Sequence, residues 1–378
     1  MSKIGFWFKN ARNIALPQSV LPCLTAIILC IGQEGFLWWL ALPILLGVCA
    51  AHLGMNLADD YFDYKHDSRT RADISSTSVR ARMEKCHYLG DEAKGDEAKG
   101  DRAPQKSADF SGTPQAKGEK ATLRQLGWAI VGFLAFAGAM GAITFIAQWL
   151  MHGWQAAIGI VVYAVIGLIV GINYSGKPLE LGFHGLGELV IGLMFGPLLM
   201  LGVQAALTGT PFSWQMLCMS VGIGCMVTNI VYVHSVMEVN ADAELGKMTF
   251  ARLLFEAKKR KGDEARGKRL MIVFIGLFAI IPFVMLGLGI GLGWWSPWYL
   301  LTLVTLPMSI FLIHSTRLFA YGLPRNDTPH WWMGPMGNWE GYKKAGIDWF
   351  LYRWLLARNI CTFFCLILMI VHIVVSSL

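Results

Sequence analysis

Asn56-Leu-Ala-Asp-Asp-Tyr-Phe-Asp-Tyr-Lys-His-Asp67 closes a long apolar run, and four of its residues share a helical spacing. Asn56, Asp60, Asp63 and Asp67 follow one another at intervals of four, three and four. On a helix of ~3.6 residues per turn this stacks them along one face, with Asp59 about 60° to the side. Carboxylates this close repel one another, and keeping them all ionised in a membrane protein is expensive. A divalent cation removes the conflict. Hard oxygen ligands suit Mg²⁺, which usually keeps several waters and takes one or two carboxylates plus phosphate oxygens. A solvated helix end that happens to be acidic explains the charge but not the facial spacing.

The surrounding chain is that of an integral membrane protein. It is 55% hydrophobic and only 15% charged, with a mean hydropathy of +0.48. Met1 to Arg12 is basic, but the apolar run behind it leads into further membrane segments, so no cleaved signal peptide is expected. The eight cysteines lie nearly all inside apolar runs and form no CxxC pair, which favours buried thiols over disulfides or zinc. No nucleic-acid-binding motif accompanies the net charge of +7. Membrane topology explains that charge better.

Apolar windows predict an all-α, polytopic fold of about nine transmembrane helices, near 15–33, 37–58, 126–150, 154–173, 187–208, 213–236, 270–292, 297–320 and 351–377. The connections near 34–36, 151–153, 209–212 and 293–296 contain no Lys or Arg. The N-terminus and the connections near 59–125, 174–186, 237–269 and 321–350 carry nearly all of the 32. The positive-inside rule then places the N-terminus and these loops in the cytoplasm and the C-terminus outside. Three parts follow: residues 1–72 with two spans and the first acidic motif, an insertion at 73–122, and residues 123–378 with seven spans. The insertion repeats Gly90-Asp-Glu-Ala-Lys94 directly as Gly95-Asp-Glu-Ala-Lys99. Its low apolar content predicts a largely disordered cytoplasmic segment.

Further polar residues mark the same membrane side. Ser68-Arg-Thr-Arg71 places Arg69 and Arg71 beside the acidic face. Tyr174-Ser-Gly-Lys-Pro178 closes the fourth span in a tight turn whose Lys177 can reach a phosphate. Glu188 follows at a helix start, where a helix-dipole role and a substrate-facing one are both open. A second acidic motif lies at 234–249: His234, Glu238 and Asp242 are spaced by four, and Lys247 and Thr249 follow in a glycine-broken turn. Two acidic helix ends on one membrane side are suited to hold Mg²⁺ around a diphosphate. Between Asn326 and Phe350, the tryptophans and tyrosines suit an interfacial helix, with a cover over the site as the alternative.

Both clusters, in order and spacing, resemble the UbiA superfamily of intramembrane aromatic prenyltransferases, and within it the 1,4-dihydroxy-2-naphthoate branch of menaquinone biosynthesis. Asn56 to Asp63, Tyr174 to Pro178 with Gly185-Leu-Gly-Glu188, and Gly246-Lys-Met-Thr249-Phe-Ala251 carry the resemblance. It implies Mg²⁺ held by Asp60, Asp63, Asp67, Glu238 and Asp242, with Asp60, Asp63, Glu238 and Asp242 serving catalysis. It also implies substrate contacts from Asn56, Asp67, Arg69, Arg71, Tyr174, Lys177, His234 and Lys247. The implied partners are a polyprenyl diphosphate, a small aromatic acceptor and the bilayer of the inner (plasma) membrane. Departures from the family pattern are Glu238 for the usual Asp, His234 and Ser235 for Asn, and Asp59 for an Asn common in that branch. They leave metal binding intact and open the question of the acceptor. Other acceptors such as 4-hydroxybenzoate or homogentisate are the alternatives within the superfamily. A cation-coupled transporter is the alternative from another class, but it calls for carboxylates at mid-span, where this chain has none. Deleting residues 75–120 is expected to leave turnover largely intact, and loss of turnover in a well-folded deletion contradicts that reading.

Overall fold

The computed structural model describes residues 3–66, 87–89, 120–244 and 246–377. The expected insertion therefore lies outside the described residues, apart from two three-residue strands, His87–Leu89 and Lys120–Thr122, which pair in parallel. Everything else of regular structure among the described residues is helical.

A short helix α1 (Lys3–Asn10) leads through a 3₁₀ turn at Asn13–Ala15 into α2 (Pro17–Leu29). Pro17 sits in the first turn of α2, where a missing N–H costs nothing. Helix α3 (Ala41–His66) carries the apolar run and the acidic stretch as one continuous element. The facial stacking read from the spacing of Asn56, Asp60 and Asp63 therefore rests on a real helix, while Asp67 lies outside the described residues. Helices α4 (Leu123–His152) and α5 (Trp154–Ser175) follow, α4 opening on a capping box between Thr122 and Gln125. Next come α6 (Gly187–Thr208), α7 (Trp214–Met237), α8 (Val239–Glu244) and α9 (Phe250–Lys259). The chain ends with α10 (Glu264–Gly291), α11 (Pro297–Ala320), α12 (Trp339–Lys344) and α13 (Asp348–Ser377). Among the described residues, eight helices are long and apolar enough to cross a membrane, and Asn13–Leu29 is a shorter apolar ninth. All nine expected segments are helical in the expected order.

Helix α7 is the axis of the bundle, with 78% of its apolar window buried against 6% for α4 and 11% for α5. The outward faces of α4 and α5 carry exposed Val131, Ile143, Val162 and Ile169, as lipid contact requires. Helix α6 packs on α7 where small residues let the backbones meet: a Cβ on Gly196 would lie 2.5 Å from the Ser220 carbonyl oxygen. At that point α6 widens into a π turn, Met194–Leu198, around Pro197, whose ring displaces the regular ladder. The turn directs Phe195 onto the ring of His52 of α3, at 4.8 Å.

The connection between α11 and α12 is fastened to α13. The fully buried Arg353 donates to both carboxylate oxygens of Asp327, at 2.7 and 3.2 Å, and to the carbonyls of Ser315 and Trp349. Phe319 lies flat on Trp349, and the Arg353 guanidinium sits 5.0 Å from the Phe319 ring. Asn359 donates to the carbonyls of Met333 and Pro335. Trp332 packs edge-on against Phe311, while Trp331 is 92% exposed. Only part of this segment thus faces outward; the rest is docked. Asp327→Ala strands a buried cation and is expected to destabilise the fold by about 3 kcal/mol, read as a lower Tm in detergent. Adding Arg353→Met should recover part of the loss. An unchanged Tm in Asp327→Ala would show that the pair does not hold the loop.

Candidate functional site

The site grows from the last turns of α3. Asn56 donates from Nδ2 to the Ala11 carbonyl at 2.9 Å, tying α3 to the segment between α1 and α2. The next residue, Arg12, takes a left-handed backbone (φ 57°), a conformation uncommon for a residue with a side chain. Its Nη2 donates to Asp59 Oδ2 at 2.8 Å and also to Asp60. Burial works against the Arg12 charge, but Asp60 and Asp59 outweigh it and raise its pKa. Asp59 also accepts from Ser175 Oγ at the end of α5, at 2.5 Å. One guanidinium and one hydroxyl therefore join three separate parts of the chain at the acidic stretch.

The opposite wall comes from α7, α8 and the turn behind them. His234 Nε2 lies 2.7 Å from Glu238 Oε2, one helical turn apart, and the His234 ring meets Phe350 of α13 edge-on. Asp242, on α8, is buried, and desolvation pushes its carboxyl up to about 6 despite the opposing pull of Lys247 and His234. The turn at 246–249 is held from three sides. Arg252 donates from Nη1 to the carbonyls of Asp242 and Lys247, at 3.2 and 2.8 Å. Gly185 donates its N–H to the Met248 carbonyl at 2.8 Å. Glu188, buried at the start of α6, accepts the Phe250 N–H on both oxygens at 3.0 Å, which caps α9 with a full negative charge.

These two walls face one cavity of about 1000 Å³. Arg12, Asn56, Asp59, Tyr174, Ser175, Glu188, His234, Glu238, Asp242 and Lys247 line its polar part. The remainder is apolar and runs between α3, α4, α5 and α6, past Gly47, Leu134, Gly141, Val165 and Leu199. Among the described residues of the polar part, four carboxylates (Asp59, Glu188, Glu238, Asp242) meet two cations (Arg12, Lys247). That surplus of negative charge in a poorly solvated cavity favours a bound cation.

Of the residues expected from the sequence, the structure brings Asn56, Tyr174, His234, Glu238, Asp242 and Lys247 to one cavity. Asp60 is buried against Arg12, and its neighbour Asp59, about 100° round the helix, lines the cavity beside Asn56. Lys177 is exposed and is not part of the lining. Asp63 belongs to α3, though its side chain, like Asp67, Arg69 and Arg71 altogether, lies outside the described residues. Arg12, His52, Ser175 and Arg252 were not singled out from the sequence. Arg12 reads there as one of several topology-setting charges, and His52 as a lone polar residue in an apolar run.

Comparison with known proteins agrees with this architecture. The profile of the UbiA prenyltransferase family matches residues 124–331, more than half of the chain. The chain belongs to that family and is a multi-pass membrane prenyltransferase. It is 23% identical to the 1,4-dihydroxy-2-naphthoate octaprenyltransferase of Mycobacterium tuberculosis over 82% of this chain and 85% of that protein. It is 28% identical to the 2-carboxy-1,4-naphthoquinone phytyltransferase of Synechocystis over 50% of this chain and 56% of that protein. A solved structure from work on digeranylgeranylglyceryl phosphate synthase in membranes shares the fold, with a TM-score of 0.53 at 13% identity over 99% of both chains.

Arg252→Ala is expected to release the 246–249 turn, because charge-assisted hydrogen bonds of this kind contribute roughly 1.5–3 kcal/mol. Amide hydrogen exchange at Met248–Phe250 should then rise about tenfold or more. Unchanged exchange there would mean that Glu188 and Gly185 hold the turn without Arg252.

Proposed function

We propose that the chain transfers a polyprenyl group from a polyprenyl diphosphate to 1,4-dihydroxy-2-naphthoate in a Mg²⁺-dependent reaction. The observation that carries the reading is a single cavity with a charged part and a long apolar part. A diphosphate fits the first and an isoprenoid chain the second. The names of the naphthoate-prenylating relatives support the choice of acceptor.

The donor set fits Mg²⁺ on chemical grounds. Among the described residues no group of three or more His, Cys, Asp or Glu stands close enough to hold a metal unaided. Mg²⁺ draws many of its ligands from phosphate oxygens and water. Glu238 and Asp242 from one wall, and the Asp59-to-Asp63 run from the other, would hold it. When bound, Mg²⁺ supplies neutralisation of the charge that develops on the departing diphosphate.

The protein's own residues do the rest. Lys247 and Arg12 add positive charge next to the leaving group, both held in place before substrate arrives. The apolar walls keep water from the allylic cation formed as the carbon–oxygen bond breaks. The apolar part of the cavity between α3, α4, α5 and α6 suits the isoprenoid tail. An electron-rich ring carbon then attacks, and with a carboxylate on that carbon CO₂ departs to restore the aromatic ring. No protein nucleophile is needed. By the charge of the connections, the polar end of the cavity faces the cytoplasm of a plasma-membrane protein, with the N-terminus inside and the C-terminus outside.

Asp60→Ala and Asp242→Ala are each expected to abolish turnover while leaving membrane insertion normal. Chelation should abolish wild-type turnover, and added Mg²⁺ should restore it. An in-membrane assay with radiolabelled polyprenyl diphosphate and parallel aromatic acceptors checks all three. Substantial residual activity in either variant would overturn the two-wall metal site. Transfer to 4-hydroxybenzoate but not to the naphthoate would overturn the acceptor.

A further inference from the structure

His52 is a buried polar residue in the apolar half of α3, and the steps above do not use it. It lines the cavity one helical turn from Asn56, about 6 Å along the axis and away from the acidic part. Its Nδ1 lies 2.7 Å from Ser19 Oγ on α2, and both side chains are buried. The Ser19 hydroxyl donates its only proton to the Leu16 carbonyl, at 3.1 Å. With its proton on that carbonyl, the hydroxyl accepts from His52 Nδ1–H. In that arrangement Nε2 keeps a lone pair in the neutral ring. Nε2 has no hydrogen-bond partner among the described residues, nor is it one of the sealed-off polar atoms of the core, so it opens on the cavity. Phe195, delivered by the π turn of α6, packs against the ring at 4.8 Å and fixes its plane.

A histidine kept only for packing has no need of a fixed tautomer with its acceptor nitrogen turned into a cavity. We propose that His52 Nε2 is the general base for the hydroxyl of the aromatic acceptor, with Ser19 as the residue that sets its tautomer. The proposal rests on the aromatic-acceptor reading and adds the group that activates the acceptor. Once the bond from C1 to the diphosphate oxygen has broken, the hydroxyl proton passes to Nε2 as the ring carbon bonds to C1 of the allylic cation, the diphosphate keeping the electron pair of the broken bond. The resulting ring ketone then loses the substituent at the newly bonded carbon. That substituent is CO₂ where the carbon bears a carboxylate, or a proton that the departing diphosphate accepts. The electron pair returns to the ring, and the oxygen recovers its proton from His52. Placement one turn from Asn56 suits this role, because the acceptor must lie beside C1, just past the diphosphate.

The test compares 1,4-dihydroxy-2-naphthoate with its methyl ethers, using the full-length protein in membranes. General-base assistance contributes roughly 10²–10⁴-fold. His52→Phe, which keeps a ring against Phe195, should therefore reduce kcat with the hydroxylated acceptor by about 100-fold. KM for the polyprenyl diphosphate should stay the same, and the preference for hydroxyl over ether should collapse. His52→Gln, which places an acceptor oxygen near the Nε2 position, should recover part of that loss. Ser19→Ala should lower kcat several-fold with the same narrowing of preference. A His52→Phe enzyme that inserts normally and keeps the wild-type preference overturns the proposal. So does a His52→Gln enzyme no better than His52→Phe. A wild type that transfers to no hydroxylated aromatic overturns the acceptor reading itself, which separates the two failures.

Discussion

The structure depends on a charge imbalance that the protein cannot relieve by itself. Two helix ends, at α3 and at α7 with α8, bring carboxylates to one cavity that, among the described residues, holds fewer cations than anions. In a medium of low dielectric such a surplus is costly. The chain offsets part of it through Arg12 on Asp59 and Asp60, His234 beside Glu238, and the helix end capped by Glu188. What remains is suited to a divalent cation arriving with an anionic ligand.

The remaining elements hold that imbalance in place. Arg12 reaches the acidic stretch because the chain turns through a left-handed residue between α1 and α2, and Asn56 fixes that turn through the Ala11 carbonyl. The backbone of the turn at 246–249 is fixed by Arg252, Glu188 and Gly185, which sets where the Lys247 side chain starts. At the far side, Arg353 binds the long connection to α13, whose Phe350, Leu351 and Trp354 close the cavity wall. The buried Arg353 is safe in the apolar bundle only because Asp327 and two carbonyls accept from it.

Much of this was legible in the sequence because the signals were periodic. Nine apolar windows and an alternating charge pattern gave the helices and their order, and four-residue spacings placed Asn56, His234, Glu238 and Asp242 on the correct faces. The finer division between Asp59 and Asp60 was not legible. Spacing defines a face to within a sector about 100° wide, and Arg12, far away in sequence, binds both neighbours. Arg12 itself carries no local mark that separates it from the topology-setting charges around it. His52 stayed hidden because its meaning depends on a hydroxyl from another helix and on a π turn that no periodicity announces. Lys177 shows the converse: a plausible phosphate-reaching residue in the turn after α5 that the fold leaves exposed outside the cavity lining.

The central claim is that carboxylates from both helix ends bind one metal–diphosphate complex. Mn²⁺ used as a spin probe in place of Mg²⁺ tests this without reliance on turnover. Electron paramagnetic resonance would be recorded on the purified protein with and without a non-reactive polyprenyl thiolodiphosphate. The account predicts tight Mn²⁺ binding only when the diphosphate is present, lost on truncating a carboxylate on either wall. Mn²⁺ binding that is indifferent to the diphosphate, or that survives truncation of both Glu238 and Asp242, would contradict it.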